Sequence, residues 1–230
     1  MSKILKTLIG ILLIPAAIGA GKSFYLLISR IDPASNVLHM FEKGVLTYLL
    51  LHVLIIRPVY LYVLGHELVH VLATWLCGGK VLSFNVTPSG GNVATSKTNF
   101  FIELSPYFVP FYTLLLGPLF MILKTIKLDI PNMPVIFLFL VGLTLTFHFV
   151  MTIEALRLKQ ADIAKSGFIF SIILIFIGNL IVVMAVFSPF FNDISFVSFL
   201  KISTDYSREI YQQLGNKALK LARIVGVWQI

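Results

Sequence analysis

Long apolar runs separated by short polar segments dominate this 230-residue chain. A run of about 20 apolar residues is the length that crosses the hydrocarbon core of a bilayer as an α-helix. The pattern therefore predicts an all-α polytopic membrane protein with five or six transmembrane helices. The runs that predict these helices are residues 5–28, 45–77, 106–123, 135–155 and 168–187.

The run at residues 45–77 is too long for one straight crossing of a bilayer. Arg57 and Pro58 interrupt it, and proline breaks or bends a helix because it lacks a backbone N–H. The run is therefore either two helices that meet near a membrane face or one bent helix. This choice decides the number of crossings, and with it the side of the membrane on which the later loops lie.

The first apolar run follows Lys3 and Lys6, as the apolar segment of a signal peptide would. It continues past Lys22, and no Ala-x-Ala cleavage site closes it. We therefore expect an uncleaved first span.

The apolar pattern changes after Gly78 to two short β-prone runs. They flank the segment Thr87-Pro-Ser-Gly-Gly91, which is rich in turn-forming residues. The pattern predicts a β-hairpin at about residues 80–97. Residues 1–190, which include this hairpin, would form one integral membrane domain. Basic and apolar residues interleave in residues 191–230, which predicts a C-terminal amphipathic or solvated tail.

Composition excludes several classes of protein. With 58% hydrophobic and 12% charged residues, and a mean hydropathy of +0.94, the chain does not suit an ordinary soluble domain. The formal charge of +8 is best explained by basic loops that set topology and contact the lipid bilayer, so we expect no nucleic-acid partner. The single cysteine, Cys77, excludes a disulfide framework and thiolate zinc ribbons. Any metal would therefore be held by histidine and carboxylate.

One polar cluster, His66-Glu67-Leu68-Val69-His70, stands inside the long apolar run. On a helix, His66 and His70 share a face, so both imidazoles can reach one Zn²⁺ at about 2.0–2.1 Å. Glu67 lies a step around the helix, where a general base for hydrolysis belongs. An ionisable residue at membrane depth costs on the order of 2.5–3.5 kcal/mol, and a divalent metal would compensate the three that occur here.

These residues, on an apolar helix that ends at Gly78-Gly79 and precedes a hairpin, resemble the site-2 protease family of intramembrane zinc metalloproteases. The resemblance covers roughly residues 60–183. It implies a peptidase that cuts a transmembrane or membrane-proximal peptide, with two histidine ligands, a catalytic glutamate and a third ligand from a later helix. In typical members the third ligand is an Asp in an Asn-Pro-Asp-Gly or Leu-Asp-Gly motif. The best positional match here is Asp162 in Gln160-Ala-Asp-Ile163, which lacks both the Pro and the Gly.

Three residues compete for the role of third ligand. Asp162 is favoured by the resemblance. His148 lies within an apolar run and needs a polar partner at that depth, although a lone histidine there is more often a hydrogen-bonded packing residue. Glu154 is expected to pair with Arg157 one turn later on the same helix.

The resulting prediction is a membrane-embedded zinc metalloendopeptidase that acts on a membrane protein or peptide. His66, His70 and Asp162 would bind Zn²⁺, and Glu67 would be the catalytic base. The hairpin would pair with an extended substrate or only connect two helices, and Asn179 would serve the active site or helix packing. The alternative is a non-proteolytic membrane protein, a degenerate relative or a metal-handling protein, with a structural zinc site.

Overall fold

The computed structural model describes residues 3–54, 57–128, 130–158, 161–191 and 193–224. These parts of the chain are mostly helical and contain one two-stranded antiparallel sheet. The helices are α1 (Lys3–Leu12), α2 (Ile14–Ile28), α3 (Asn36–Leu54), α4 (Val59–Leu76), α5 (Phe100–Leu104), α6 (Phe111–Thr125), α7 (Met133–Arg157), α8 (Ala161–Ser166), α9 (Phe168–Phe187) and α10 (Phe196–Ile224). The strands are β1 (Val81–Thr87) and β2 (Gly90–Thr95), and a 3₁₀ turn at Ser105–Tyr107 continues α5.

The helical architecture and the hairpin after α4 confirm the coarse prediction. Within the described residues, α3, α4, α7 and α9 are each long and apolar enough to cross a membrane. The number rises to six if two bent helix pairs each count as one span. The range of four to six includes the five or six spans predicted from the sequence.

Two predicted spans are bent pairs of helices. The axes of α1 and α2 differ by 42°, and Pro15 in the first turn of α2 has no N–H with which to bond back into α1. The segment of α5 and its 3₁₀ turn makes an angle of 80° with α6. Pro106 lies in that turn and Pro110 precedes α6, so the straight helix begins at Phe111 and not at the predicted residue 106.

The long apolar run folds as two separate helices, α3 and α4, which is one of the two alternatives that the sequence left open. α3 begins at Asn36, well before the predicted residue 45, because the charged residues Glu42 and Lys43 are exposed and do not interrupt it. α4 ends at Leu76, and Gly78 follows with a φ of +67°. A glycine in this left-handed conformation is a common helix stop.

α3 and α7 lie side by side and approach closely at two glycines. A Cβ on Gly44 would overlap the carbonyl oxygen of Phe139, and a Cβ on Gly142 would overlap that of Phe41. Small residues allow the same close approach of helix backbones in membranes. This pair forms one wall of the molecule next to α4.

The hairpin folds back along α4. Phe84 of β1 pairs with Val93 of β2, and Thr87 pairs with Gly90 across the turn. β-Branched residues in both strands favour the extended conformation, and the Pro-Ser turn reverses the chain. Both strands contact α4, so β2 lies beside the histidine cluster.

The C-terminal segment forms one long helix, α10, which packs antiparallel on α2. The Ser23 hydroxyl donates to the Phe199 carbonyl oxygen at 3.1 Å, and the Tyr211 hydroxyl donates to the Leu12 carbonyl oxygen at 2.5 Å. The predicted tail, residues 191–230, therefore includes a packed helix, whereas residues 225–230 lie outside the described part. The domain boundary at residue 190 stays a prediction.

Candidate metal centre

Helix α4 presents both histidines of the motif on one face. The imidazole rings of His66 and His70 are 5.0 Å apart, as the spacing of four residues requires, and both side chains are nearly buried. Gly65 allows the Tyr112 ring to pack directly on the helix, since a Cβ there would lie 2.9 Å from that ring. The other side of α4 at this level is therefore closed by an aromatic residue.

Asp162 reaches the two histidines from α8, the short helix after α7. Its Oδ2 atom lies 3.5 Å from Nε2 of His70 and 4.0 Å from Nε2 of His66. The three residues each offer a ligand atom, and these atoms lie within 4.8 Å of one another. Residue Gln160 of the predicted Gln-Ala-Asp-Ile match lies outside the described residues.

The His70 ring is held in one orientation by the backbone. Its Nδ1–H donates to the carbonyl oxygen of Ile102 at 2.7 Å, which leaves the lone pair of Nε2 directed at Asp162. Ile102 is itself fixed, because its N–H donates to the Asn99 side chain that caps α5. A backbone carbonyl on the far nitrogen is the usual way in which a protein orients a histidine that binds a metal.

The position of α8 depends on a hydrogen bond to α5. The fully buried Ser166 hydroxyl donates to Glu103, and Thr98 donates to the other oxygen of the same carboxylate at 3.1 Å. Asp162 stands one turn before Ser166 on α8. The Glu103–Ser166 contact therefore ties the helix that carries Asp162 to α5.

The pKa of the Asp162 carboxyl is lowered below its usual range. Burial by itself raises this pKa, but the interactions with the His66 and His70 imidazoles outweigh burial. The residue is therefore ionised at neutral pH, which is the form of a carboxylate that binds a cation. Two neutral imidazoles and one carboxylate make a donor set that suits Zn²⁺.

Glu67 is buried between α4 and the hairpin. Only 6% of its surface is exposed, and a Cβ on Gly91 of β2 would lie 2.5 Å from its Cγ and 2.7 Å from its Oε1. The strand thus passes directly over the carboxylate. A polar cleft of about 260 Å³ opens at this point, and its lining includes Glu67 with His66, His70 and Asp162.

Comparison of the chain with protein-family models, with curated proteins and with solved structures finds no match. The interpretation of this centre therefore depends on its own residues and geometry.

The structure places the two rival ligands elsewhere. His148 is buried on α7 and does not belong to the group of ligand atoms found among the described residues. Glu154 contacts His52 of α3, with 3.2 Å between Oε1 and Nε2, and the ring of His52 also contacts the Tyr48 hydroxyl at 3.1 Å. In place of the expected Glu154–Arg157 pair, Glu154 thus contacts a histidine of a different helix.

Asn179 of α9 makes packing hydrogen bonds. Its amide donates to the carbonyl oxygens of Tyr107 at 3.0 Å and Ile175 at 2.9 Å. The contact with Tyr107 ties α9 to the turn after α5, and helix packing is the second of the two roles considered from the sequence.

Several residues of the centre carry no signal in the sequence. Ile102 contributes a backbone carbonyl, which any residue type would offer, and Ser166 and Glu103 are ordinary polar residues. Gly91 has a weak signal, since a glycine within a strand marks close approach of another group. The sequence pattern places Gly91 only in the turn of the hairpin.

Proposed function

We propose that this protein is an intramembrane zinc metallopeptidase that hydrolyses a peptide bond in or near a transmembrane segment of a substrate protein. The observation that carries the proposal is the convergence of His66, His70 and Asp162 in one cleft with Glu67. The resemblance of the motif to the site-2 protease family supports the same function.

Insertion in a membrane is part of the proposal. The helices that are long and apolar enough to cross a bilayer expose large apolar side chains, such as Leu50 and Val53 on α3. Met121 and Ile122 are exposed in the same way on α6, which belongs to one of the bent apolar helix pairs. Monomeric soluble proteins rarely expose this much apolar surface to water. A bilayer around these helices removes the difficulty.

His66, His70 and Asp162 would hold Zn²⁺, and all three residues line the cleft. Zinc bound there would lower the pKa of a coordinated water to about 7 and polarise the scissile carbonyl. Glu67 is the general base that takes a proton from the attacking water and then passes it to the leaving amine. Its burial beneath Gly91 keeps the carboxylate in place and excludes bulk water from one side.

The cleft supplies a path for water to the buried centre. Its lining is polar and includes Asn92, Thr95, Thr98 and Lys165 together with the four site residues. The cleft opens between β2, α5 and α8, which all contribute residues to its lining.

The function is tested with purified protein in proteoliposomes and a library of model transmembrane peptides, with products detected by mass spectrometry. Glu67→Gln should lower the cleavage rate by about 10²–10⁴-fold, the usual contribution of a general base, while zinc content stays the same. Glu42→Gln is the matched control, because Glu42 is an exposed residue of α3. Equal cleavage by Glu67→Gln and wild type would contradict the proposal.

The alternative is a non-proteolytic membrane protein with a structural zinc site. It predicts that wild type cleaves none of the peptides and that Glu67→Gln changes no property of the protein. The placement of Glu67 in the cleft, beside three potential ligands and beneath a glycine, favours the peptidase.

A further inference from the structure

A second set of polar side chains lies next to His66, on the side of α4 that faces α7. Two buried histidine nitrogens, Nδ1 of His66 and Nε2 of His148, have no hydrogen-bond partner within the part of the chain that the structure describes. An imidazole nitrogen buried without a partner costs about 1–3 kcal/mol. Because the two nitrogens lie on neighbouring helices, one hydrogen-bond partner between them could satisfy both.

Both histidines line the same small cavity between α4, α6 and α7. Its volume is about 20 Å³, and Tyr62, whose hydroxyl is also buried, contributes to the lining. A cavity must offer about 10–15 Å³ and two to four polar partners to hold one water molecule. The volume of this cavity is enough for one water molecule, and the two histidine rings and Tyr62 supply polar groups in its lining.

The protonation of the two rings is complementary. If Nε2 of His66 binds the metal, its Nδ1 carries the proton and must donate. His148 hydrogen-bonds to the backbone of Tyr107 and has its free nitrogen at Nε2, so Nδ1 is its donor and Nε2 its acceptor. One water can accept from His66 and donate to His148 and to the Tyr62 hydroxyl.

We propose that a single buried water in this cavity connects His66 to His148, and that His148 is the outer partner that orients His66 toward the metal. His70 has the Ile102 carbonyl in this role. The proposal gives His66 the equivalent partner through one water. It rests on the proposed zinc site, and it changes His148 from a rival ligand into a positioning residue.

The test measures the affinity for Zn²⁺ by competition with a chelator of known affinity, using the full-length protein in detergent. Loss of an outer-shell partner typically weakens metal binding by 10–100-fold. We expect this loss for His148→Phe, which keeps an aromatic ring but removes the acceptor. His148→Gln, which retains an acceptor near the position of Nε2, should bind within about threefold of wild type because the water keeps its partner.

His52→Phe is the matched control, since His52 is a nearly buried histidine of α3 that contacts Tyr48 and Glu154. Its zinc affinity should stay within about twofold of wild type, because it is not a partner of a ligand. Thermal unfolding of each metal-free variant separates loss of fold from loss of affinity. Tyr62→Phe provides a milder change at the same cavity and should weaken zinc binding less than His148→Phe does.

The outcomes separate the two proposals. If wild type binds no zinc, the proposed function fails and this inference fails with it. If wild type binds zinc and folded His148→Phe binds it equally well, the inference alone is overturned. A structure at high resolution should show water density about 2.7–3.2 Å from both nitrogens, and a dry cavity would also overturn the inference.

Discussion

Gly91 of the hairpin lies directly against Glu67 of α4, so close that a Cβ on the glycine would be 2.5 Å from Cγ of the glutamate. The two residues are 24 positions apart in the sequence. The hairpin therefore packs directly on the Glu67 side chain of α4. Strand β2 covers one side of the carboxylate on which the proposed chemistry depends.

Replacing Gly91 by alanine should displace either Glu67 or the strand. A shift of about 1 Å in a catalytic group can lower a rate by on the order of 100-fold, so we expect Gly91→Ala to lose peptide cleavage by about 10–100-fold. Zinc content should not change, because Gly91 lies on the carboxylate and the three ligands are untouched. The measurement is the cleavage rate together with metal analysis of the same sample.

Gly117→Ala is the control for that variant. A Cβ at Gly117 of α6 meets no atom within 4 Å, so the rate should equal that of wild type. Unchanged cleavage by Gly91→Ala would contradict the inference that β2 covers Glu67 and keeps it in position.

Asp162→Asn should weaken zinc binding strongly. The amide retains the size of the carboxylate but not its charge, so a ligand is lost, and the effect should exceed the roughly 100-fold upper range of outer-shell substitutions. Chelator competition provides the affinity. Asp205→Asn, an exposed change on α10, is the matched control. Wild-type affinity in Asp162→Asn would exclude Asp162 as the third ligand.

Ser166→Ala should destabilise the protein and loosen α8. The change removes a hydrogen bond from a buried hydroxyl to the half-buried Glu103 carboxylate, and a hydrogen bond to a charged group contributes about 1.5–3 kcal/mol. Zinc affinity should fall as well, because α8 carries Asp162. Unfolding in denaturant, with and without zinc, measures both effects.

Ser29→Ala serves as the comparison for Ser166, because Ser29 is exposed and bonds within its own turn. It should change the free energy of unfolding by less than about 0.5 kcal/mol. If both serine variants have the stability of wild type, the Glu103–Ser166 contact does not hold α8.

Gly142→Ala should separate α3 from α7. The added methyl group would overlap the carbonyl oxygen of Phe41, and overpacking of this kind costs about 1–3 kcal/mol. A lower Tm in detergent, with Gly117→Ala as the neutral control, would agree with this expectation. A Tm equal to that of wild type would show that the two helices are not packed through their glycines.

The sequence predicts much of the fold because lipid and hydrogen bonding leave few choices. Apolar runs predict α7 and α9 within two residues at each end, and turn-forming residues predict the hairpin. The bends are harder to place, because Pro106 and Pro110 are compatible with a helix start at either position. The extension of α3 to Asn36 is missed because exposed charges resemble a loop in a hydropathy pattern.

The site is predicted only as far as local spacing extends. His66, Glu67 and His70 follow from helical periodicity, whereas Asp162 depends on the family resemblance and not on any local pattern. The His52–Glu154 contact joins residues 102 positions apart, and periodicity cannot report such a pair. For the same reason, the hydrogen bond from His70 to the Ile102 carbonyl and the contact of Gly91 with Glu67 can be seen only in the folded chain.

The zinc content of the purified protein tests the central claim most directly. Wild-type protein, purified in detergent without added metal and measured by mass spectrometry of the elements, should contain about one zinc per chain, as a single site with three ligands requires. His66→Ala should lose most of that zinc while it keeps its helical content. Wild-type protein without stoichiometric zinc, or the same zinc content in His66→Ala, would contradict the account.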